Sequence, residues 1–206
     1  ESLARLKTDY LDIIQCHDIE FGSLDQVIHE TIPALREVQR AGKARFVGIT
    51  GLPLKIFRVV LDRTEVDSIL SYCHYCLNDV SLTGLLPLLE EKGVGIISAA
   101  PLAMGLLTGK PLPEWHPAPP DLRAACAQAA ELCRARGSSL PRVALQFSLA
   151  QERIHTTVAG SASADEIRRN VEWMEQPADQ ALLAEVQAIL APVLNRTWAT
   201  GRPENQ

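Results

Sequence analysis

Three short stretches carry residue types that could do chemistry. His17-Asp18 closes the apolar run Leu11-Asp-Ile-Ile-Gln-Cys16, and an imidazole released at a strand end can hydrogen-bond or carry a proton near neutral pH. Gly160-Ser161-Ala162-Ser163 precedes a helix-like segment with Asp165 and Glu166 in its first turn. Ser163 can N-cap that helix, and the amides there either bind phosphate or receive the cap. Cys73-His74-Tyr75-Cys76 invites a metal reading. A structural zinc site needs four ligands, however, and no second C-x-x-C pair follows. The expectation is therefore buried thiols packing as small hydrophobes, with no metal site.

The elements that must position these residues alternate in type. Short branched apolar runs predict strands at Leu11–Cys16, Phe46–Thr50, Ser68–Cys73, Val94–Ala100 and His155–Ala159. Between and after them, amphipathic stretches predict helices over about Leu24–Ala41, Leu54–Asp62, Gly84–Lys92, Leu122–Arg136, Arg142–Gln151, Asp165–Trp173 and Asp179–Leu194. Apolar strands alternating with helices indicate a parallel sheet covered by helices. Five such units fit either a doubly wound sheet or part of a (βα)8 barrel, and periodicity leaves both open. No G-x-G-x-x-G turn follows any strand, which removes the usual Rossmann fingerprint. Polar residues gather at the strands' C-terminal ends: His17-Asp18, Thr50, Ser71, Ser98 and Gly160-Ser161. That end is the functional rim in both folds.

Composition narrows the function class. The chain has 206 residues with 20 basic and 25 acidic side chains, a net charge of −5, and no basic run. This argues against a nucleic-acid surface. No apolar stretch reaches the ~20 residues that cross a bilayer, and no signal peptide opens the chain. Five cysteines, an odd number, argue against a disulfide framework. The expectation is a soluble, cytoplasmic protein with no nucleic-acid or membrane partner. The chain opens at Glu1 within the helix-like segment Glu1–Lys7, which predicts a fragment or a truncated gene product.

Local motifs separate the two folds. Ser2-Leu-x-Arg-Leu-x-Thr-Asp-Tyr-Leu-Asp-Ile-Ile-Gln-Cys-His17-Asp18 resembles the aldo-keto reductase segment that leads into the fourth barrel strand and the active-site histidine. Leu35 followed by Gly42-Lys-x-Arg-Phe-Val-Gly-Ile-Thr50 is similar to that family's next helix and strand, Pro101–Gly109 to its seventh-strand loop, and Gly160–Asn170 to its eighth-strand cofactor segment. Ser71–Cys76 further resembles the L-galactose dehydrogenase subgroup.

The resemblance implies a (βα)8 TIM barrel of aldo-keto reductase type, here lacking roughly its first three strands. Residues 1–194 would form the C-terminal part of one barrel domain, and 195–206 a mobile tail. It implies a nicotinamide cofactor, NAD with NADP as the alternative, and a small carbonyl or sugar substrate. His17 would be catalytic, orienting the substrate oxygen, while the family's Asp, Tyr and Lys lie on segments preceding this one. Thr50 and Ser71 would contact the carboxamide, and Ala100, Leu102 and Met104 would line the cofactor from the seventh-strand loop. Gly160, Ser161 and Ser163 would meet its phosphates, and Glu166, Arg169 and Asn170 the adenosine. Two departures stand out: Ala99 where many members stack a Tyr, and Gly51 where an Asn is common. Glu166 stands where NADP users often place an Arg, hence NAD, with Arg168 and Arg169 able to offset its charge. The reaction implied is hydride transfer between the cofactor and a sugar or aldehyde. Two rivals are a non-catalytic homologue acting as an interaction protein and a metal-dependent barrel hydrolase.

Overall fold

The computed structural model describes residues 1–206. Its strands are β1 (Leu11–Cys16), β2 (Ala44–Gly51), β3 (Ser68–Tyr72), β4 (Gly95–Ala99) and β5 (Thr156–Val158). Its helices are α1 (Ser2–Leu6), α2 (Leu24–Gln26), α3 (Ile32–Arg40), α4 (Leu54–Leu61), α5 (Leu86–Glu91), α6 (Pro120–Ala135), α7 (Leu140–Leu149), α8 (Ala164–Met174) and α9 (Gln180–Leu190). The strands lie in the order β1-β2-β3-β4-β5, with β1–β2 and β2–β3 parallel. A doubly wound sheet reverses its strand order at a switch point, whereas a (βα)8 barrel adds strands in sequence. The observed order is of the barrel type. No helix is long and apolar enough to cross a membrane.

The chain packs as two compact units, Glu1–Ser71 with Leu85–Ile97 and Ala199–Gln206, and Tyr72–Gly84 with Ser98–Trp198. In the first, β2 is exposed at Arg45 and Phe46 near its start and buried on both faces from Val47 to Gly51, as expected of a covered parallel strand. Ile56, Phe57 and Val60 of α4 and Leu89 of α5 complete that core. The second unit is centred on α6, α7 and α9, whose Leu122, Ala129, Cys133, Ala144, Val186 and Leu190 form one buried cluster. The free thiols Cys126 and Cys133 belong to it as small hydrophobes.

One segment differs from the sequence reading. The single helix expected over Leu24–Ala41 is α2, a π-helical turn Val27–Thr31, then α3. Pro33 has no amide hydrogen to return to the preceding turn, and the widened turn accommodates it. The segment 195–206, expected as a mobile tail, makes hydrogen bonds to residues distant in sequence. Asn205 is buried, and Arg202 N donates to Glu20 O at 2.9 Å. A glycine-, asparagine- and proline-rich composition reads locally as loose chain, but here those residues make long-range bonds.

Candidate functional site

The first unit builds a rigid turn around His17. The β1–β2 register pairs Gln15 with Gly48 and Cys16 with Ile49, which brings Thr50 beside the end of β1. Thr50 Oγ1 accepts from Asp18 N at 2.8 Å and donates to Asp18 Oδ1 at 3.1 Å. Asp18 takes a left-handed conformation, φ 48°, uncommon for a residue with a Cβ and a mark of local constraint. Its Oδ2 lies 3.4 Å from His17 Nδ1, while the His17 side chain is 82% exposed. The imidazole is thus backed by a carboxylate and leaves Nε2 open.

Thr50 was expected to contact a carboxamide. It is buried, and its hydroxyl is committed to Asp18 in both directions. Ser71 is also buried, with no partner for its hydroxyl, and it pairs in register with Gly51. Thr50 and Gly51 are consecutive in a strand, so Ser71 points to the opposite face from Thr50. Gly51 itself leaves no room for the family's asparagine. A Cβ there would stand 2.3 Å from Ile56 Cδ1 and 2.6 Å from Glu20 Oε2. Gly48 is crowded in the same way, with a Cβ 2.4 Å from Ser68 Oγ. On that row the Gln15 Nε2 and Ser68 Oγ atoms are buried without partners.

The second unit gathers most of the expected cofactor residues into one cavity of about 270 Å³, whose lining includes Leu102, Gly160, Ser161, Glu166, Arg169 and Asn170. Ser163 caps α8 by accepting from Glu166 N at 3.4 Å. Glu166 is held from two sides: Lys110 Nζ lies 2.5 Å from Oε1, and the Ser161 hydroxyl donates to Oε2. The Lys110 hydrogen bond first, then that from Ser161, holds the Glu166 carboxyl below the usual carboxylate range. Arg168 pairs with Asp165 at 2.6 Å instead. Lys110, Thr108, Ser139 and Trp173 also line the cavity and were not singled out in the sequence. Lys110 directly follows the Pro101–Gly109 motif, which was the available signal.

The loop after β4 is strained. Ala100, Ala103 and Met104 all have positive φ (55°, 48° and 57°), and such outliers persist only where surroundings over-determine them. His116 is one such restraint. Its Nδ1 accepts from Ala118 N at 3.2 Å, so Nε2 carries the hydrogen facing Ala103 O at 3.3 Å. Burial, with Arg123 nearby, lowers the His116 pKa and so favours the neutral ring. Leu102 reaches the cavity, while Met104 is exposed.

The Cys73–Cys76 motif is a packed turn. Burial pushes the Cys73 thiol up to about 12 and the Cys76 thiol well above its ordinary value, so neither is a thiolate at neutral pH. His74 Nδ1 lies 3.1 Å from Asp79 Oδ2 and 3.0 Å from Ser81 Oγ, all within the same loop. No group of three or more His, Cys, Asp or Glu side chains is arranged to hold a metal.

The residues of the second cavity suit an anionic dinucleotide. Lys110 and Arg169 supply positive charge, and α8 presents its N-terminal amides. Gly160 has nothing within 4 Å of where a Cβ would stand, so the backbone there is open to approach.

The model of the aldo/keto reductase family matches residues 1–191. L-galactose dehydrogenase of Arabidopsis thaliana is 53% identical over 212 residues, covering 100% of this chain and 66% of that protein. D-threo-aldose 1-dehydrogenase of a Pseudomonas species is 29% identical over 201 residues, covering 93% and 61%. Among solved structures, an aldo-keto reductase from Bacillus halodurans in its holo form superposes with a TM-score of 0.71 and 29% identity, covering 99% of this chain and 64% of that one. The chain thus spans somewhat less than two-thirds of the length of these relatives.

Proposed function

The chain belongs to the aldo/keto reductase family, and from that premise we propose that the protein carrying it is an oxidoreductase of the L-galactose dehydrogenase kind. It would exchange a hydride between a nicotinamide cofactor and a small sugar or aldehyde. The observation that carries this reading is His17, exposed at the end of β1 and backed by an Asp18 carboxylate that Thr50 locks in place. The rival reading as a non-catalytic interaction protein is not favoured, given 53% identity to a dehydrogenase along the whole chain.

When bound, the cofactor supplies or accepts the hydride. The chain's own residues position and polarise. With Nδ1 facing Asp18, His17 offers Nε2 to the substrate oxygen. In the neutral ring Nε2 accepts a hydrogen bond from an alcohol hydroxyl, and in the protonated ring it donates to a carbonyl oxygen. Leu102, Gly160, Ser161, Ser163, Arg169 and Asn170, with Lys110, would hold the phosphates and adenosine, and Ala100 and Met104 would shape the loop beside them. Ala99 offers only a methyl group where a stacking ring is common, so the ring must find its wall elsewhere.

We read the cofactor as NAD. Glu166 is ionised and tied to Lys110, so a ribose 2′-phosphate entering there would meet a carboxylate and have to displace it from its partner. A ribose hydroxyl can instead donate to it. We place the protein in the cytoplasm, in keeping with five cysteines that are all free thiols. Steady-state oxidation of L-galactose with NAD and with NADP by the full protein tests the reading. Turnover with NAD favoured is the expected result, and no oxidation of any aldose with either cofactor overturns it.

A further inference from the structure

The docked C-terminal segment touches the turn that follows His17 and little that the proposed chemistry otherwise uses. Asn205 is buried 185 residues away from Glu20 in sequence, and its Nδ2 donates to Glu20 O at 2.8 Å and to Gly22 O at 3.1 Å. Arg202 adds a backbone bond to the same Glu20 carbonyl at 2.9 Å and an Nε bond to Phe21 O at 3.1 Å. Gly201, φ 77°, lies so close that a Cβ would stand 2.5 Å from Glu20 O. Lys55 Nζ secures the far end of the segment through Glu204 O at 2.8 Å. Three consecutive carbonyls, of Glu20, Phe21 and Gly22, are therefore satisfied by residues 201–205.

Those carbonyls belong to a single tight turn. Phe21 N donates to Asp18 O at 3.2 Å and Gly22 N to Ile19 O at 3.1 Å. Glu20, fully buried, accepts at Oε1 from Leu52 N at 3.0 Å. The turn is thus pinned to the end of β2 on one side and to the C-terminal segment on the other. At its start stands Asp18, in a left-handed conformation that it would not choose unaided, and Asp18 is what faces His17 Nδ1.

We propose that residues 199–206 form a clamp that sets the angle of the His17 imidazole, with Asn205 as a positioning residue acting through the 18–22 turn. This rests on the reading of His17 as the group that meets the substrate oxygen. The two donors of Asn205 are the specific element, because its one amide nitrogen bonds both the Glu20 and Gly22 carbonyls. A carboxylate of the same shape in its place would set negative charge against two carbonyl oxygens and release the turn.

The test uses the full protein with NAD and L-galactose as probes. Asn205→Asp should accelerate amide exchange across residues 18–22 and lower kcat by about tenfold or more, since a catalytic group displaced by about an ångström can cost two orders of magnitude. The Kd for NAD, read by fluorescence titration, should stay within about twofold. Val60→Ala, a buried change in the same unit outside this network, serves as a control for lost stability alone. It should lower Tm without changing exchange at 18–22 or kcat. Lys55→Met, exposed and mild, should reproduce the Asn205 effect at smaller size if Asn205→Asp fails to fold. Unchanged exchange at 18–22, or equal losses of kcat in Val60→Ala, would overturn the clamp. A wild-type protein that oxidises no sugar would sink the functional reading, while the exchange measurement would still decide the clamp.

Discussion

The turn at His17 and the cavity at the head of α8 place their polar groups in opposite ways. In the turn that follows His17, the polar groups are largely taken up by fixed neighbours. The Thr50 hydroxyl is used twice on Asp18, the Glu20 carboxylate caps Leu52, and the carbonyls of residues 20–22 are taken by the C-terminal segment. At the second cavity, Lys110 and Glu166 are paired by side-chain charge near solvent, and Arg169 lines the same cavity. Long charged side chains can re-pair when a ligand arrives, whereas a left-handed aspartate locked by a buried threonine cannot. The comparison teaches that direction is built into the backbone where a single imidazole must be aimed. Where a large anionic ligand must be gathered in, the fold keeps adaptable charges instead.

The sharpest way to break this contrast is to remove the aimed group. His17→Ala should lower turnover by about two orders of magnitude or more, the usual weight of a positioned hydrogen-bonding or proton-transfer group. The Kd for the cofactor should not move, because the cavity residues lie on other segments. Comparable losses in kcat and in cofactor affinity would make His17 a structural residue and dissolve the distinction.

Adding one methyl group to each region asks the same question of packing. Gly51→Ala puts a Cβ 2.3 Å from Ile56 Cδ1 and 2.6 Å from Glu20 Oε2, both on buried residues, while Gly160→Ala meets nothing within 4 Å. The first should cost about 1–3 kcal/mol by overpacking and the second close to nothing in stability. Thermal denaturation of the two variants side by side measures the difference. Equal Tm values would show that the His17 region relaxes as easily as the cavity.

Thr50→Val sharpens the comparison at one bond pair. It keeps the shape but removes the hydroxyl, leaving Asp18 N and Oδ1 without that partner. Unsatisfied groups of this kind cost about 1–3 kcal/mol when buried, and Asp18 is only partly buried, so the lower end applies. Turnover should fall several-fold as Asp18 leaves its left-handed conformation. A variant with unchanged kcat would show that Asp18 holds its conformation without Thr50.

The pattern of these residues explains what could be read from sequence. β1 was legible to the residue, Leu11–Cys16, because a branched apolar run between charged and polar ends has few alternatives. The cap at Ser163 was legible because its signal lies within four residues. His17 and the stretch Gly160–Asn170 were legible as motifs. The Asp18–Thr50 bond was not, because it depends on the β1–β2 register, which no local signal sets. Lys110 could not be paired with Glu166 from spacing, since 56 residues separate them. The bonds of the C-terminal segment were not legible for the same reason. Gly201 and Asn205 resemble loose-loop residues until Glu20 is brought against them.

The remaining effect concerns Glu166, and it probes the adaptable side of the contrast. Its carboxyl is held below the usual range by Lys110 and Ser161, so the folded state favours the ionised form. A group with a depressed folded pKa contributes stability that is present above its unfolded pKa and is lost as pH falls through the folded value. The Tm difference between wild type and Glu166→Gln should therefore be constant near neutrality and vanish in acid, below the ordinary carboxylate range. It should also shrink with added salt, because the pair is exposed and screened. The same substitution bears on the cofactor. Removing the carboxylate frees Lys110 and takes away the repulsion of a 2′-phosphate, so the ratio of kcat/KM for NADP over NAD should rise by about tenfold, a shift of about 1.4 kcal/mol. A ratio that stays fixed while the acid-range Tm difference behaves as described would mean that Glu166 serves the Lys110 pair alone and faces no part of the bound ribose.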